Sequence, residues 1–142
     1  MIRSTKRSVS VFLAVLFLAA TFSFPAHAEA SDQIAGYSIT ITPMGSGQVR
    51  VVVSVAGTHP FMTRIGFPSI ALHERNNSNS SWGTVFSTGP HYNPNATAGS
   101  HSYEFTYQGV AGRQYRAHAS FFARDSLGSD SRQATSPFIT AT

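Results

Sequence analysis

The 142-residue chain contains no cysteine. That absence excludes disulfide bonds, a thiol nucleophile, thiolate metal ligands and a lipid-modified cysteine, so a packed core has to supply the stability of the fold. Charged residues are also few, at 11% of the sequence, with ten basic and six acidic side chains. Lys6 is the one lysine, so the basic chemistry of the protein is almost entirely that of arginine.

The first 28 residues have the three consecutive parts of a cleavable signal peptide. Residues 1–10 are basic without an acid, residues 11–24 form a nearly unbroken apolar run, and Ala26-His27-Ala28 has the small-x-small pattern that a signal peptidase accepts. The run is too short for a stable membrane span, and no second apolar stretch follows. We therefore expect a secreted protein that begins at Glu29 and has no stable membrane anchor, with an uncleaved N-terminal anchor as the alternative.

Removal of residues 1–28 changes the charge balance. Seven of the ten basic residues remain against six acids, so the expected net charge is near +1. The sequence pI near 10 is therefore due mostly to the basic residues of the predicted signal peptide. The remaining arginines are dispersed along the sequence. No basic run is present to follow a phosphate backbone, and we expect no nucleic-acid partner.

Hydrophobic alternation predicts β-strands and no helix over residues 29–142. In the second predicted strand, Val49, Val51, Val53 and Val55 lie on one face. The seven predicted strands cover residues 37–42, 49–55, 69–75, 82–87, 101–107, 114–124 and 132–141. Strands of this number and spacing in about a hundred residues predict a single all-β antiparallel sandwich domain over residues 29–142.

The predicted strand over residues 114–124 begins with a tyrosine that we expect to be buried. Its ring would enter the core while its hydroxyl bonds to the backbone just upstream. With Tyr115 inward, a period of two also directs inward Ala117, Ala119, Phe121 and Ala123. The same period directs outward Arg116, His118, Ser120, Phe122 and Arg124. Because the inward alanines are small, we expect Trp82 and Phe105 to fill the space opposite them.

Four segments carry a resemblance to fibronectin type III and related immunoglobulin-like sandwiches. Residues 69–75 followed by Trp82-Gly83-Thr84-Val85 look like the third strand and the tryptophan-bearing edge strand of such modules. Tyr103-Glu104-Phe105 leads to residues 109–115, which are similar to the Gly-Leu-x-Pro-Gly-x-x-Tyr corner, and residues 125–129 resemble the Asn-x-x-Gly-x-Ser turn. The resemblance implies a seven-stranded immunoglobulin-like sandwich with structural roles for Tyr115, Trp82 and Gly112.

The departures from the family pattern leave the subtype open. The corner lacks the usual proline and one residue, so another immunoglobulin-like subtype remains an alternative. The chain also resembles small exported bacterial proteins that belong to families of unknown function.

The sequence shows no catalytic set. The six carboxylates are scattered and lack the pairing that glycoside hydrolysis needs, and no Gly-x-Ser-x-Gly elbow is present. Residues 125–130 resemble a calcium loop only faintly, because calcium needs six or more oxygen ligands. The histidines lack the spacing of a zinc site: His59, His73, His91, His101 and His118. We therefore expect no catalytic residue, no metal site and no cofactor.

Two segments are candidates for ligand binding. Phe122 is expected to point outward in a frame of Arg116, His118 and Arg124, which suits an anionic or glycan ligand. The alternative is that a neighbouring strand or loop covers Phe122 or that a bulge reverses its face. The second candidate is the loop containing His91 and Tyr92, because binding sites of sandwich domains usually lie on such loops.

These features predict a secreted, non-catalytic recognition or structural module that acts at or outside the cell surface. Its expected partner is an extracellular protein or glycan. The alternative is a small secreted hydrolase or enzyme inhibitor with a site built from loops, since one sandwich fold serves many functions.

Overall fold

The computed structural model describes residues 32–95 and 97–142. The predicted signal peptide, residues 1–28, and the predicted new N-terminus at Glu29 lie outside the described residues. The described part of the chain contains nine β-strands and no helix. It accordingly has no helix of sufficient length and apolarity to cross a membrane.

The strands form two antiparallel sheets, which confirms the all-β sandwich. The first sheet has the order β1-β2-β6, with β1 (Ile34–Gly45), β2 (Gln48–Gly57) and β6 (Ser100–Gln108). The second has the order β4-β3-β7-β8, with β3 (Arg64–Arg75), β4 (Gly83–Thr88), β7 (Gln114–Arg124) and β8 (Ser129–Thr135). Two short strands complete it: β5 (His91–Tyr92) pairs with β3, and β9 (Ile139–Thr140) pairs with β7.

The core lies between the sheets and follows the predicted alternation. All four valines predicted on one face of β2 are buried. In β7, buried and partly exposed residues alternate, and the buried set is the predicted one: Tyr115, Ala117, Ala119, Phe121 and Ala123. Each fully buried large apolar side chain stabilises the fold by about 1.5 to 3 kcal/mol. The period of two therefore determines which face of β7 is in the core.

The corner before β7 has the predicted hydroxyl bond. Tyr115 is fully buried, and its hydroxyl accepts the backbone N–H of Val110 at 2.8 Å and donates to Glu74 Oε2 at 2.5 Å. Burial is the main cause that raises the pKa of Tyr115 to about 12, and the bond to Glu74 adds to it. Gly109 has to be glycine here, because a Cβ would lie 2.6 Å from the Tyr115 hydroxyl. Gly112 turns the chain with a φ of 86°.

A bulge in β3 reverses the inward parity of the strand. The pairing with β7 shifts between Gly66 and Ser69, so that the odd-numbered Ile65 and Phe67 and the even-numbered Ile70 and Leu72 are all buried. β3 consequently begins five residues before the predicted start at residue 69. Residues 64–68 are part of the strand, since a bulge adds one residue without ending the pairing.

Two other expectations need correction. The predicted strand over residues 132–141 is two strands, β8 and β9, because Pro137 has no N–H to donate. Trp82 does not lie opposite the inward alanines. It is half-buried, and its ring centroid lies 4.4 Å from the guanidinium carbons of both Arg75 and Arg116, which are outside the core. The rings of Phe86 and Phe105, 4.8 Å apart, pack against the core instead.

Candidate functional site

The outer face of the second sheet holds a set of cationic side chains and is here called the arginine face. The register of β3 against β7 places Arg64 opposite Arg124 and His73 opposite Arg116. Their neighbours Ile65, Leu72 and Ala117 are buried, so these arginine and histidine side chains lie on the solvent side of the sheet. Both acids of the second sheet, Glu74 and Asp130, pair across from inward residues of β7, Tyr115 and Ala123. The arginine face therefore has no carboxylate on its strands.

Carboxylate partners separate the seven described arginines into two groups. Arg50, Arg113 and Arg132 each form an ion pair, with Glu104, Glu74 and Asp130 respectively. The four that form no ion pair are Arg64, Arg75, Arg116 and Arg124, and all four lie on the arginine face. Positive charge left without internal compensation is thus confined to one surface of the described chain.

At one end of this face, two arginines lie against aromatic rings in what we call the tryptophan cluster: Arg75, Trp82, Arg116 and Phe138. Both guanidinium carbons lie 4.4 Å from the Trp82 centroid, and that of Arg75 also lies 4.9 Å from the Phe138 centroid. The two guanidinium groups are therefore less than about 9 Å apart. Arg75 Nε donates to Gln114 Oε1 at 2.7 Å, which fixes the orientation of this group.

At the other end is a second set with the same kinds of side chain, called the tyrosine cluster: Arg64, Tyr92, Phe122 and Arg124. The Arg64 guanidinium lies 4.0 Å from the Tyr92 ring, and the Arg124 guanidinium lies 5.9 Å from the Phe122 ring. Tyr92 and Phe122 contact edge to face at 6.1 Å. Arg64 and Arg124 are direct cross-strand partners. Like charges in this arrangement destabilise a sheet when no anion is bound to them.

Two histidines border the tryptophan cluster on the side that faces the tyrosine cluster. The rings of His73 and His118 are nearly parallel, with centroids 6.4 Å apart, and His118 Nδ1 bonds to the Thr135 hydroxyl at 2.8 Å. Burial, followed by the charges of Arg116 and His118, lowers the pKa of His73. Within the described residues, the two buried side-chain polar atoms without a hydrogen-bond partner are His73 Nδ1 and Arg116 Nε. Both are on this face, in side chains that are direct cross-strand partners.

The structure separates the ligand frame that the sequence predicts around Phe122. Arg116, His118, Phe122 and Arg124 do share the outer side of β7, but six residues separate Arg116 from Phe122, which is about 20 Å in a strand. Arg116 contacts Trp82 instead. Phe122 is half-buried against Tyr92, so a neighbouring strand partly covers it.

The two residues of the second predicted site lie on different sides of the sheet. Tyr92 joins Phe122 on the arginine face, whereas the His91 ring stacks on Tyr103 of the first sheet at 3.8 Å. His91 Nε2 also bonds to the Thr88 hydroxyl at 2.7 Å. His91 is therefore engaged between the sheets and contributes nothing to the outer surface.

Several residues of this face were not predicted from the sequence: Arg64, His73, Arg75 and Phe138. The bulge hid Arg64, which lies before it and is even-numbered, whereas His73 and Arg75 lie after it and are odd-numbered, yet all three point outward. Alternation backward from Arg75 would have found His73. Nothing in the local sequence indicates that the rings of Trp82 and Phe138 meet, with centroids 6.3 Å apart.

The outer face of the first sheet has different chemistry. Its arginine, Arg50, makes a two-bond pair with Glu104 at 2.8 and 2.7 Å, so this face is neutral. A depression of about 290 Å³ near one end is lined by small residues and hydroxyl groups, including Ser38, Ser54 and Ser102, and by no charged side chain. Such a surface can donate and accept hydrogen bonds but has no charge with which to select an ion.

The described residues contain no arrangement of side chains suited to binding calcium or another metal ion. They contain no group of three or more histidine, cysteine or acidic side chains that could hold a metal ion. In the turn after β7, Asp125 Oδ1 accepts the backbone N–H groups of Leu127 and Gly128, and Oδ2 bonds to His59 Nε2 at 2.9 Å. The bond to His59 is the main cause of the lowered pKa of Asp125.

Comparison with known proteins gives little similarity. No protein-family model and no curated protein matches the chain. Among solved structures, a protein described as late embryogenesis abundant is similar with a TM-score of 0.47 and 13% identity, covering 95% of this chain and 86% of its own. A superoxide reductase (neelaredoxin) from Archaeoglobus fulgidus is similar with a TM-score of 0.45 and 17% identity, covering 82% and 97%. At these values neither similarity bears on function.

Proposed function

We propose that the chain is an exported recognition module, of the fibronectin type III-like kind, that binds an anionic extracellular ligand through the arginine face. The strand order supports the fold subtype, because the fourth strand lies at the edge of the second sheet beside the third, as the resemblance implies. The tyrosine corner supports it as well.

One observation carries the binding proposal: the four described arginines without an ion pair all lie on one face that has no carboxylate. Arginine binds carboxylate, sulfate and phosphate groups through two parallel N–H bonds, and aromatic contacts hold its planar group in place before the ligand arrives. Destabilising contacts such as the pairing of Arg64 with Arg124 are typical of functional surfaces, where residues are retained for binding at a cost in stability.

The test compares two double variants that lose the same charge. Arg116→Gln with Arg124→Gln removes one arginine from each cluster, whereas Arg50→Gln with Arg132→Gln removes two arginines that are already paired. Binding of the purified protein to a sulfated and a carboxylated polysaccharide is measured at low salt, with a neutral dextran as reference.

We expect the first double variant to lose about 100-fold in affinity, because each charged hydrogen-bonded contact contributes about 1.5 kcal/mol or more and 1.4 kcal/mol is a factor of ten. The second should stay within about twofold, since its remaining charge interactions are screened. Equal losses in both variants would mean that net charge alone attracts the polymer, and the proposed face would be abandoned.

A further inference from the structure

The arginine face has two similar ends. The tryptophan cluster and the tyrosine cluster each contain two arginines and two aromatic rings. On β7, Arg116 and Arg124 are eight residues apart, a distance of about 25 Å in a strand. A single small anion cannot contact both clusters.

The strip between the clusters is polar and has no arginine. It presents the hydroxyl groups of Ser69, Ser120 and Thr135 and, at its border with the tryptophan cluster, the stacked rings of His73 and His118. Ser69 Oγ donates to Ser120 Oγ at 3.1 Å, so hydroxyl groups extend across neighbouring strands. The arginine charge is therefore concentrated at two places with a hydrogen-bonding surface between them.

The aromatic rings hold the arginines and are poorly placed to stack against a sugar. The Trp82 centroid already has two guanidinium carbons at 4.4 Å, and the Tyr92 ring has one at 4.0 Å. A guanidinium group that lies over a ring keeps the N–H donors at its edge, and these donors suit an acidic group in the plane of the guanidinium. Each cluster is thus suited to an acidic substituent.

We propose that one extended chain contacts both clusters, and that it is a linear polysaccharide in which acidic units are separated by neutral ones. This inference rests on the anion binding proposed above. Acidic groups would meet the arginines at the two ends, and sugar hydroxyls would meet the hydroxyl strip. Polyphosphate or nucleic acid fits less well, because its closely spaced charges would lie over the strip without a cation.

Binding at two ends predicts a length threshold. An oligomer shorter than about 25 Å reaches one cluster only, whereas a longer one gains the second contact as an intramolecular step. Affinity should therefore rise at least about tenfold when the oligomer passes this length, and little beyond it.

The experiment titrates the purified protein with hyaluronan oligosaccharides of increasing length, in which a uronic acid alternates with a neutral amino sugar. Polyphosphate and polyglutamate of matched length serve as competing probes. Arg116→Gln removes a contact at the tryptophan cluster, Arg124→Gln one at the tyrosine cluster, and Arg50→Gln is the control on the other sheet. Thermal melts of each variant verify that it is folded.

The expected result is a step in affinity near the predicted length, lost in Arg116→Gln and in Arg124→Gln but kept in Arg50→Gln. Equal affinity at all lengths, still sensitive to both face variants, would overturn the two-ended site and leave anion binding intact. Tighter binding of polyphosphate or polyglutamate than of long hyaluronan would overturn the polysaccharide class. Failure of every anionic probe to bind would remove the proposed function itself.

Discussion

The two sides of β7, formed by alternating residues of one strand, differ in burial and in whether their polar groups have partners. The inner side presents Tyr115 and Phe121 separated by alanines, all fully buried, and the Tyr115 hydroxyl has both a donor and an acceptor as partners. The outer side presents Arg116, a histidine, Phe122 and Arg124. There, arginines lack carboxylates, and Arg64 faces Arg124 directly. Favourable folding contacts are thus concentrated inside and unfavourable ones outside.

The neighbouring phenylalanines of β7 give the largest expected contrast. Phe121 is fully buried and contacts the rings of Tyr37 and Phe67, so Phe121→Ala should lower the free energy of unfolding by about 3 to 5 kcal/mol. Phe122 is half-buried against Tyr92, so Phe122→Ala should lower it by about 1 kcal/mol. Urea denaturation of both variants measures the difference. Similar losses would show that the outer side is also a packed layer and would weaken the proposed binding face.

The hydroxyl of Tyr115 gives the next effect. Tyr115→Phe leaves Glu74 Oε2 and the Val110 N–H without this partner, and because Glu74 is a carboxylate we expect a loss of about 1.5 to 3 kcal/mol. Arg113 still binds Glu74 Oε1 at 2.7 Å, so the carboxylate does not become isolated. Urea denaturation gives the value, and the double variant with Glu74→Gln should show that the two losses are not additive. Additive losses would mean that the bond contributes nothing to stability.

Acidification should destabilise the protein through two histidines, one on the outer face of the second sheet and one between the sheets. Burial is the main cause that lowers the pKa of His73, outside, and of His101, inside, below the ordinary value of 6.5. Arg116 and His118 add to the effect at His73, and His91 adds to it at His101. The unfolded chain therefore binds more protons below pH 6.5, and stability falls as the pH falls through that range.

Thermal melts between about pH 7.5 and pH 5.5 check this sign, since carboxylates titrate lower. His73→Gln and His101→Gln should each flatten the pH dependence of the melting temperature. An acidic group bound at Arg116, the cross-strand partner of His73, should raise the pKa of His73 and leave that of His101 unchanged, so binding should tighten as the pH falls. Binding that weakens on acidification would argue against a ligand near His73.

Prediction from sequence succeeded where the period of two is uninterrupted. The burial of alternate residues in β7 and the bond of the Tyr115 hydroxyl to the upstream backbone both follow from residue order and from the resemblance. The β7 residues of the site were predicted, but its residues on β3 were not, because a bulge reverses which β3 residues face inward. The contact of Tyr92 with Phe122 was not predicted either, because it depends on β5, a strand of two residues. Sequence also cannot tell which arginines are paired: Arg113 and Glu74 are 39 residues apart.

The smallest predicted effect is a gain in stability on the outer side. Arg124→Gln removes the like-charge pairing with Arg64 and gives up only a distant contact with the Phe122 ring, 5.9 Å from the guanidinium. Relief of a direct cross-strand repulsion should raise the free energy of unfolding by about 0.2 to 0.5 kcal/mol at low salt. The backbone carbonyl of Arg124, which accepts from Thr63, is unaffected.

Arg132→Gln is the matched control, because it removes the same charge but breaks an ion pair with Asp130 at 3.1 Å. That variant should lose between about 0 and 1 kcal/mol. Urea denaturation at low and high salt separates the two cases, since screening should abolish the gain in Arg124→Gln. If Arg124→Gln is instead less stable by 1 kcal/mol or more, about the upper limit for an exposed charge, the arginine serves the fold. The outer side of β7 would then differ from the inner side in composition but not in role.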